Sequence, residues 1–142
     1  MTGVGGLAHV TLFCSPAQLP SMLDFYEQVI GLAPGPRPSF DFPGAWLYAG
    51  KEPIIHLAAV LQGVALASNL SSRSARPGGT LATGSIDHIA LRANGTVDAS
   101  RSKLTRRGVP FTEAPVPGFP LHQIFLNDPL GVKIELNFEL AS

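Results

Sequence analysis

The sequence predicts an α+β fold built from two tandem βαβββ modules. Three observations carry that expectation. A strand-like phrase containing a histidine, Leu7-Ala8-His9-Val10-Thr11-Leu12, returns 79 positions later as Ile86-Asp87-His88-Ile89-Ala90-Leu91. A second apolar phrase closes each half, Ile54-Ile55-His56-Leu57 and Lys133-Ile134-Glu135-Leu136, at the same shift of 79. Between these phrases each half holds one segment with helical spacing and a pair of short β-rich runs joined by a turn. Two copies of one supersecondary unit is the economical reading.

In the first half, Leu7–Phe13 reads as a strand, broken by Ser15-Pro16. Leu19–Ile30 then places Leu19, Met22, Leu23, Tyr26, Val29 and Ile30 at helical spacing. Ser15 is the expected cap, Pro16 fits the first turn and Gly31 the end. Gly35–Pro38 reads as a turn or extended piece, and a weak strand is expected around Ser39–Phe42. Ala45–Ala49 and Ile54–Ala58 form a hairpin through Gly50–Pro53. In the second half Ile86–Arg92 is a strand, Val97–Arg107 a helix ended by Gly108, and Phe111–Ala114 a weak strand. Leu121–Leu126 and Val132–Phe138 form a hairpin around Asn127–Gly131. The expected organisation is a first module over residues 1–67, a second over 86–142, and between them a Ser-, Arg-, Gly- and Pro-rich connection, 68–85. A single module leaves one apolar sheet face uncovered; two modules together form one domain and leave a cleft lined by inward-facing residues.

Composition narrows the function. Ten basic and ten acidic residues give a formal net charge of zero, and no basic run is present, which argues against nucleic acid as a partner. The lone Cys14 excludes an intrachain disulfide and fits a reducing compartment. No basic segment leads into an apolar run at the start, and the longest apolar stretch, 54–67, is interrupted by His56, Gln62 and Gly63. A cytoplasmic protein with no membrane partner is expected, one that acts on a small molecule.

His9, His56, His88 and Glu135 occupy matched positions, each among apolar strand residues. A buried, unpaired ionisable group is costly, and a bound metal relieves that cost. Imidazole and carboxylate are the usual ligands of zinc, iron, nickel, cobalt and manganese. One divalent ion held by these four is the expectation. Gln123, set near Glu135 across the second hairpin, is placed to hydrogen-bond the carboxylate or a substrate oxygen; His122 points the other way and is expected not to ligate. Trp46, Phe125 and Arg37 are expected near the substrate, Arg37 for an anionic one.

With these residues in view, the chain resembles the vicinal oxygen chelate superfamily of glyoxalases, extradiol dioxygenases, fosfomycin-resistance enzymes and bleomycin resistance proteins. The resemblance runs through LAHVTL, MLDFYEQVIGL, FDFPGAWLY, PIIHLA, IDHIAL and HQIFLNDPLGVKIELNF. It implies paired βαβββ modules in a curved, barrel-like mixed sheet around a metal-binding cleft, with ligands at His9, His56, His88 and Glu135, and a homodimer. His56 stands where glyoxalase I carries a carboxylate ligand and base, which argues against glutathione-dependent glyoxalase I activity. His9, His88 and Glu135 match the two-His, one-carboxylate set of the dioxygenases. The expected activity is that of a glyoxalase-like metal-dependent lyase or isomerase. Its substrate would carry vicinal oxygens, and the chemistry would be Lewis-acid and enediolate chemistry, with His56 and Glu135 catalytic. An Fe(II) extradiol-type dioxygenase and a non-enzymatic drug- or metabolite-binding protein are the alternatives.

Overall fold

A computed structural model describes residue 3 and residues 5–59 and 88–141. The chain divides into two compact units, Met1–Ala82 and Thr83–Ser142. The division falls within the 68–85 connection, which lies outside the described residues, as do Ile86 and Asp87 of the repeated strand phrase. Each unit is a βαβββ module with one four-stranded mixed sheet. Among the described residues no helix is long and apolar enough to cross a membrane.

In the first module the strands are β1 (Val10–Cys14), β2 (Ala33–Gly35), β3 (Gly44–Ala49) and β4 (Glu52–Ala59), and the helix is α1 (Leu19–Asp24). The sheet order is β1-β4-β3-β2, with β1 parallel to β4 and the other pairs antiparallel. The N-cap of α1 is Gln18, not Ser15 as expected, and Ser15 closes the turn just ahead of the helix by a reciprocal arrangement. Gln18 N donates to Ser15 Oγ (3.2 Å), and Ser15 N donates to Gln18 Oε1 (2.8 Å). From Phe25 to Ile30 the helix widens into a π-helical turn that closes on Gly31, whose φ of 93° suits glycine. The sequence expectation of one continuous helix missed this change of pitch. Phe25 and Tyr26, adjacent in sequence, are both buried there and meet edge to face with centroids 5.1 Å apart.

Alternation sorts the sheet into two faces. Leu12, Cys14, Leu47, Ile55 and Leu57 lie on one and are almost fully buried. Met22 is buried too, and α1 lies against β4. Each large side chain removed from water in this way stabilises the fold by roughly 1.5–3 kcal/mol. Thr11, Trp46 and His56 occupy the opposite face. The edge strand is not where the sequence suggested. It pairs at Ala33–Gly35, while Ser39–Phe42 runs outside the sheet. Gly35 lies so close to the Tyr48 ring that a Cβ there would stand 2.7 Å from Cε2. Tyr48 in turn donates its hydroxyl to Pro36 O at 2.6 Å. A small residue and a prolyl carbonyl thus decide the edge, not β-propensity.

The second module contains β5 (His88–Arg92), α2 (Val97–Arg106), β6 (Thr112–Pro115), β7 (Leu121–Asn127) and β8 (Lys133–Glu139), in the sheet order β5-β8-β7-β6. Thr96 caps α2, accepting from Ala99 N at 3.1 Å. Asp128 closes the β7–β8 turn, its Oδ1 accepting from Leu130 N (2.8 Å) and Val132 N (2.9 Å). The inner pairings repeat those of the first module at the 79-residue shift. Thr11 faces His56 and Ala90 faces Glu135; Trp46 faces His56 and Phe125 faces Glu135. The edge strand departs from this match. Gly35 pairs with Trp46, but Ala114 pairs with Gln123, a slip of two residues.

Candidate functional site

In the first module, His9 sits one residue ahead of β1 and His56 in the middle of β4. Register puts both on the Thr11 face. They do not point at a common centre. Their rings lie face to face, centroids 3.8 Å apart and planes 12° from parallel, and Trp46 covers the other face of His56 at 4.0 Å and 11°. His56 is thus the middle ring of a three-ring stack, and it is only 9% exposed. Its Nε2 lies 3.0 Å from Pro53 O. A carbonyl only accepts, so Nε2 carries the proton and Nδ1 the free lone pair. Burial, first, and then the neighbouring His9 hold the His56 pKa below its ordinary value. The charge of Arg37 adds to this, against the opposing hydrogen bond to Pro53.

Around this stack lies an open cleft of about 680 Å³, whose lining includes Phe40, Phe42, Trp46, Pro53, His9 and His56. Phe40 and Phe42 stack at 5.0 Å. The Arg37 guanidinium stands 5.2 Å from each of their ring centres and donates from Nη2 to Phe42 O at 3.1 Å. Gly44 is required beside it: a Cβ there would meet Leu57 O at contact far inside van der Waals range.

In the second module His88 and Glu135 do meet. His88 Nε2 is 2.9 Å from Glu135 Oε2, and Glu135 is 7% exposed. Gln123 Nε2 donates to Glu135 Oε1 at 2.6 Å and to Asn137 Oδ1 at 3.0 Å. Directly opposite Glu135 is Phe125, and Gln123 pairs with Asn137. Gln123 is therefore the diagonal neighbour of Glu135, two residues further along than the sequence suggested and on the same face. His122 takes the other face. Its Nε2 lies 3.1 Å from Glu113 Oε1, and Glu113 also accepts from Arg101 of α2. Arg101 holds the exposed Glu113 carboxyl below its ordinary range.

The donor chemistry suits a divalent transition metal, and the geometry within each module tests it. Two ligand atoms about 2.1 Å from one ion stand about 3.0 Å apart at right angles and about 3.4 Å apart in the tetrahedral arrangement usual for zinc. His88 Nε2 and Glu135 Oε2, 2.9 Å apart, are at hydrogen-bond distance and also near the right-angle spacing, and Gln123 holds the other carboxylate oxygen. The stacked pair of His9 and His56 does not fit as two ligands of one ion. Among the described residues no group of three or more His, Cys, Asp or Glu is gathered around one point.

Comparison with known proteins gives the family. The sequence profile of the Glyoxalase/Bleomycin resistance protein/Dioxygenase superfamily matches residues 6–136. The chain belongs to this superfamily. Solved members of similar fold include a glyoxalase family protein from Bacillus anthracis, 20% identical, covering 98% of each chain with a TM-score of 0.69. Lactoylglutathione lyase from Agrobacterium tumefaciens is 18% identical over 96% of each chain, with a TM-score of 0.67. A fosfomycin resistance protein from Listeria monocytogenes is 16% identical over 96% of this chain and 94% of its own, with a TM-score of 0.63. At such identities the likeness establishes the glyoxalase fold and leaves the reaction open. Comparison with curated proteins returns no significant match. Within the superfamily, sequence reasoning missed Asn137 and Pro53, the polar partners of Gln123 and His56. Neither has a signal beyond its place in the register.

Proposed function

We propose that this superfamily member is a divalent-metal-dependent enzyme of the glyoxalase-like class, a lyase or isomerase acting on a small molecule with vicinal oxygens. The observation that carries the reading is the buried Glu135 carboxyl. One of its oxygens is held by Gln123, and the other stands 2.9 Å from His88 Nε2. His88 and Glu135 are the core of the donor set, and the family resemblance adds His9 to it. When bound, the ion supplies Lewis-acid polarisation of the substrate's adjacent oxygens. The chain supplies the rest. Gln123 fixes the carboxylate, Trp46 and the Phe40–Phe42 pair shield the substrate from water, and neutral His56 offers Nδ1 as a proton acceptor. In its stacked position His56 acts better as this base than as a fourth ligand.

Removing His56 from the ligand set leaves two histidines and one carboxylate, which favours an Fe(II) dioxygenase as the second reading. The test is elemental analysis of untagged protein beside H88A and E135Q variants. About one equivalent of divalent metal is expected in the parent and its loss in both variants. Nickel, zinc or cobalt, with turnover of a 2-oxoaldehyde without oxygen, supports the lyase; iron with oxygen uptake supports the dioxygenase. A parent that takes up no metal on reconstitution ends both, and leaves a binding protein.

A further inference from the structure

Arg37 stands behind Phe40 and Phe42, two residues that line the first module's cleft. Its Nε is buried and has no hydrogen-bond partner. Among the described residues Nη2 donates to the carbonyl of Phe42, and the guanidinium also lies against the Phe40 and Phe42 rings. Among the described residues no carboxylate pairs with it, whereas Arg101 is paired with Asp98 and Glu113. A guanidinium stays charged at any physiological pH, and an unmade hydrogen bond on a buried N–H is costly. The Arg37 side chain as a whole is part-exposed, and the planar fork of a guanidinium matches a carboxylate.

The cleft walls specify the remainder of the ligand. The Trp46–His56–His9 stack and the Phe40–Phe42 stack present flat ring surfaces, within a volume suited to a small organic molecule. Glu52 is the one acidic residue in the lining. Arg37 meets the cleft through two of its lining residues, Phe40 and Phe42, whose ring centres each lie 5.2 Å from its guanidinium.

We infer that the first module's cleft binds a planar aromatic carboxylate, its rings against the Trp46 and Phe40–Phe42 surfaces and its anionic group on Arg37. The inference rests on the functional reading above only in taking this cleft as the substrate site, and it needs no metal. Arg37 is then the residue that selects for charge, and the aromatic stacks select for shape.

Trp46 is the chain's one tryptophan, so its emission reports occupancy directly. The experiment titrates chelator-treated E135Q and parent protein with 4-methylbenzoate and with its neutral isostere 4-methylbenzamide. The acid is expected to change Trp46 emission saturably and to bind about tenfold or more tightly than the amide. R37Q is expected to bind the two alike, with amide affinity near that of the parent, and R37K to keep part of the preference. Equal affinities in the parent, a preference retained in R37Q, or no emission change with either compound would overturn the inference. An acid preference in a protein that takes up no metal on reconstitution would sustain the inference while ending the enzyme reading. One equivalent of metal without acid preference would do the reverse.

Discussion

The imidazole of His9 lies flat against that of His56, 3.8 Å between centroids with planes 12° apart. Lone pairs of imidazole lie in the ring plane, so those of two parallel rings run side by side and do not converge. An ion midway between them would sit roughly 1.9 Å off each plane, nearly a full Zn–N bond length of about 2.0–2.1 Å. The two matched histidines of the first module therefore cannot serve the same ion while stacked, and their roles divide.

That division predicts how H56A behaves. The variant should keep the parent's metal stoichiometry by elemental analysis, while H88A and E135Q lose theirs. It should lose about 1–3 kcal/mol of stability in chemical denaturation, because the middle ring of a buried stack is removed. A metal-free H56A would restore His56 to the ligand set.

Gln123 touches Glu135 from the outside of the proposed site. Replacing it with leucine should weaken metal binding by about 10–100-fold in competition with a chelator, with one equivalent still bound at saturation. Unchanged affinity in Q123L would mean that the amide merely packs.

The lowered pKa of His56 gives a pH dependence of stability. Below its unfolded value of 6.5 the unfolded chain takes up a proton that the folded chain resists. The stabilisation is thus complete above that value and is lost as pH falls from it toward the depressed folded value. Melting temperature should drop as pH is lowered from 7.5 to 5.5, and H56N should flatten the curve in this window. Equal slopes for parent and H56N would assign the effect elsewhere.

Gly44 has no room for a Cβ beneath Leu57 O. G44A should destabilise the protein by about 1–3 kcal/mol and perturb Trp46 emission, since the strain falls at the start of β3. A parent-like melting curve would show that the strand shifts to accept the methyl group.

Much of this architecture was legible in the sequence because the inner strands carry their information in alternation and in a repeat. The shift of 79 that relates His9 to His88 and His56 to Glu135 also relates the observed partners Thr11 to Ala90 and Trp46 to Phe125. The edge strand was misplaced because Ser39–Phe42 looks more like a strand than Ala33-Pro34-Gly35. The deciding contact, Tyr48 against Gly35 and Pro36, is long-range and leaves no periodic trace. The same holds for the site. Which residues share a face follows from register, whereas the stacking of His9 on His56 depends on ring rotamers and on Pro53, which no spacing encodes.

The two-residue slip between β2–β3 and β6–β7 has a consequence for how such a scaffold diversifies. An outermost strand is hydrogen-bonded on one side only, so its register can change while the donor-bearing strands stay fixed. In the first module the connection freed this way, residues 36–43, carries Arg37, Phe40 and Phe42. The counterpart over residues 116–120 is shorter and has Phe119 as its only aromatic. Transplanting that margin between relatives should carry ligand preference with it while leaving His88 and Glu135 undisturbed.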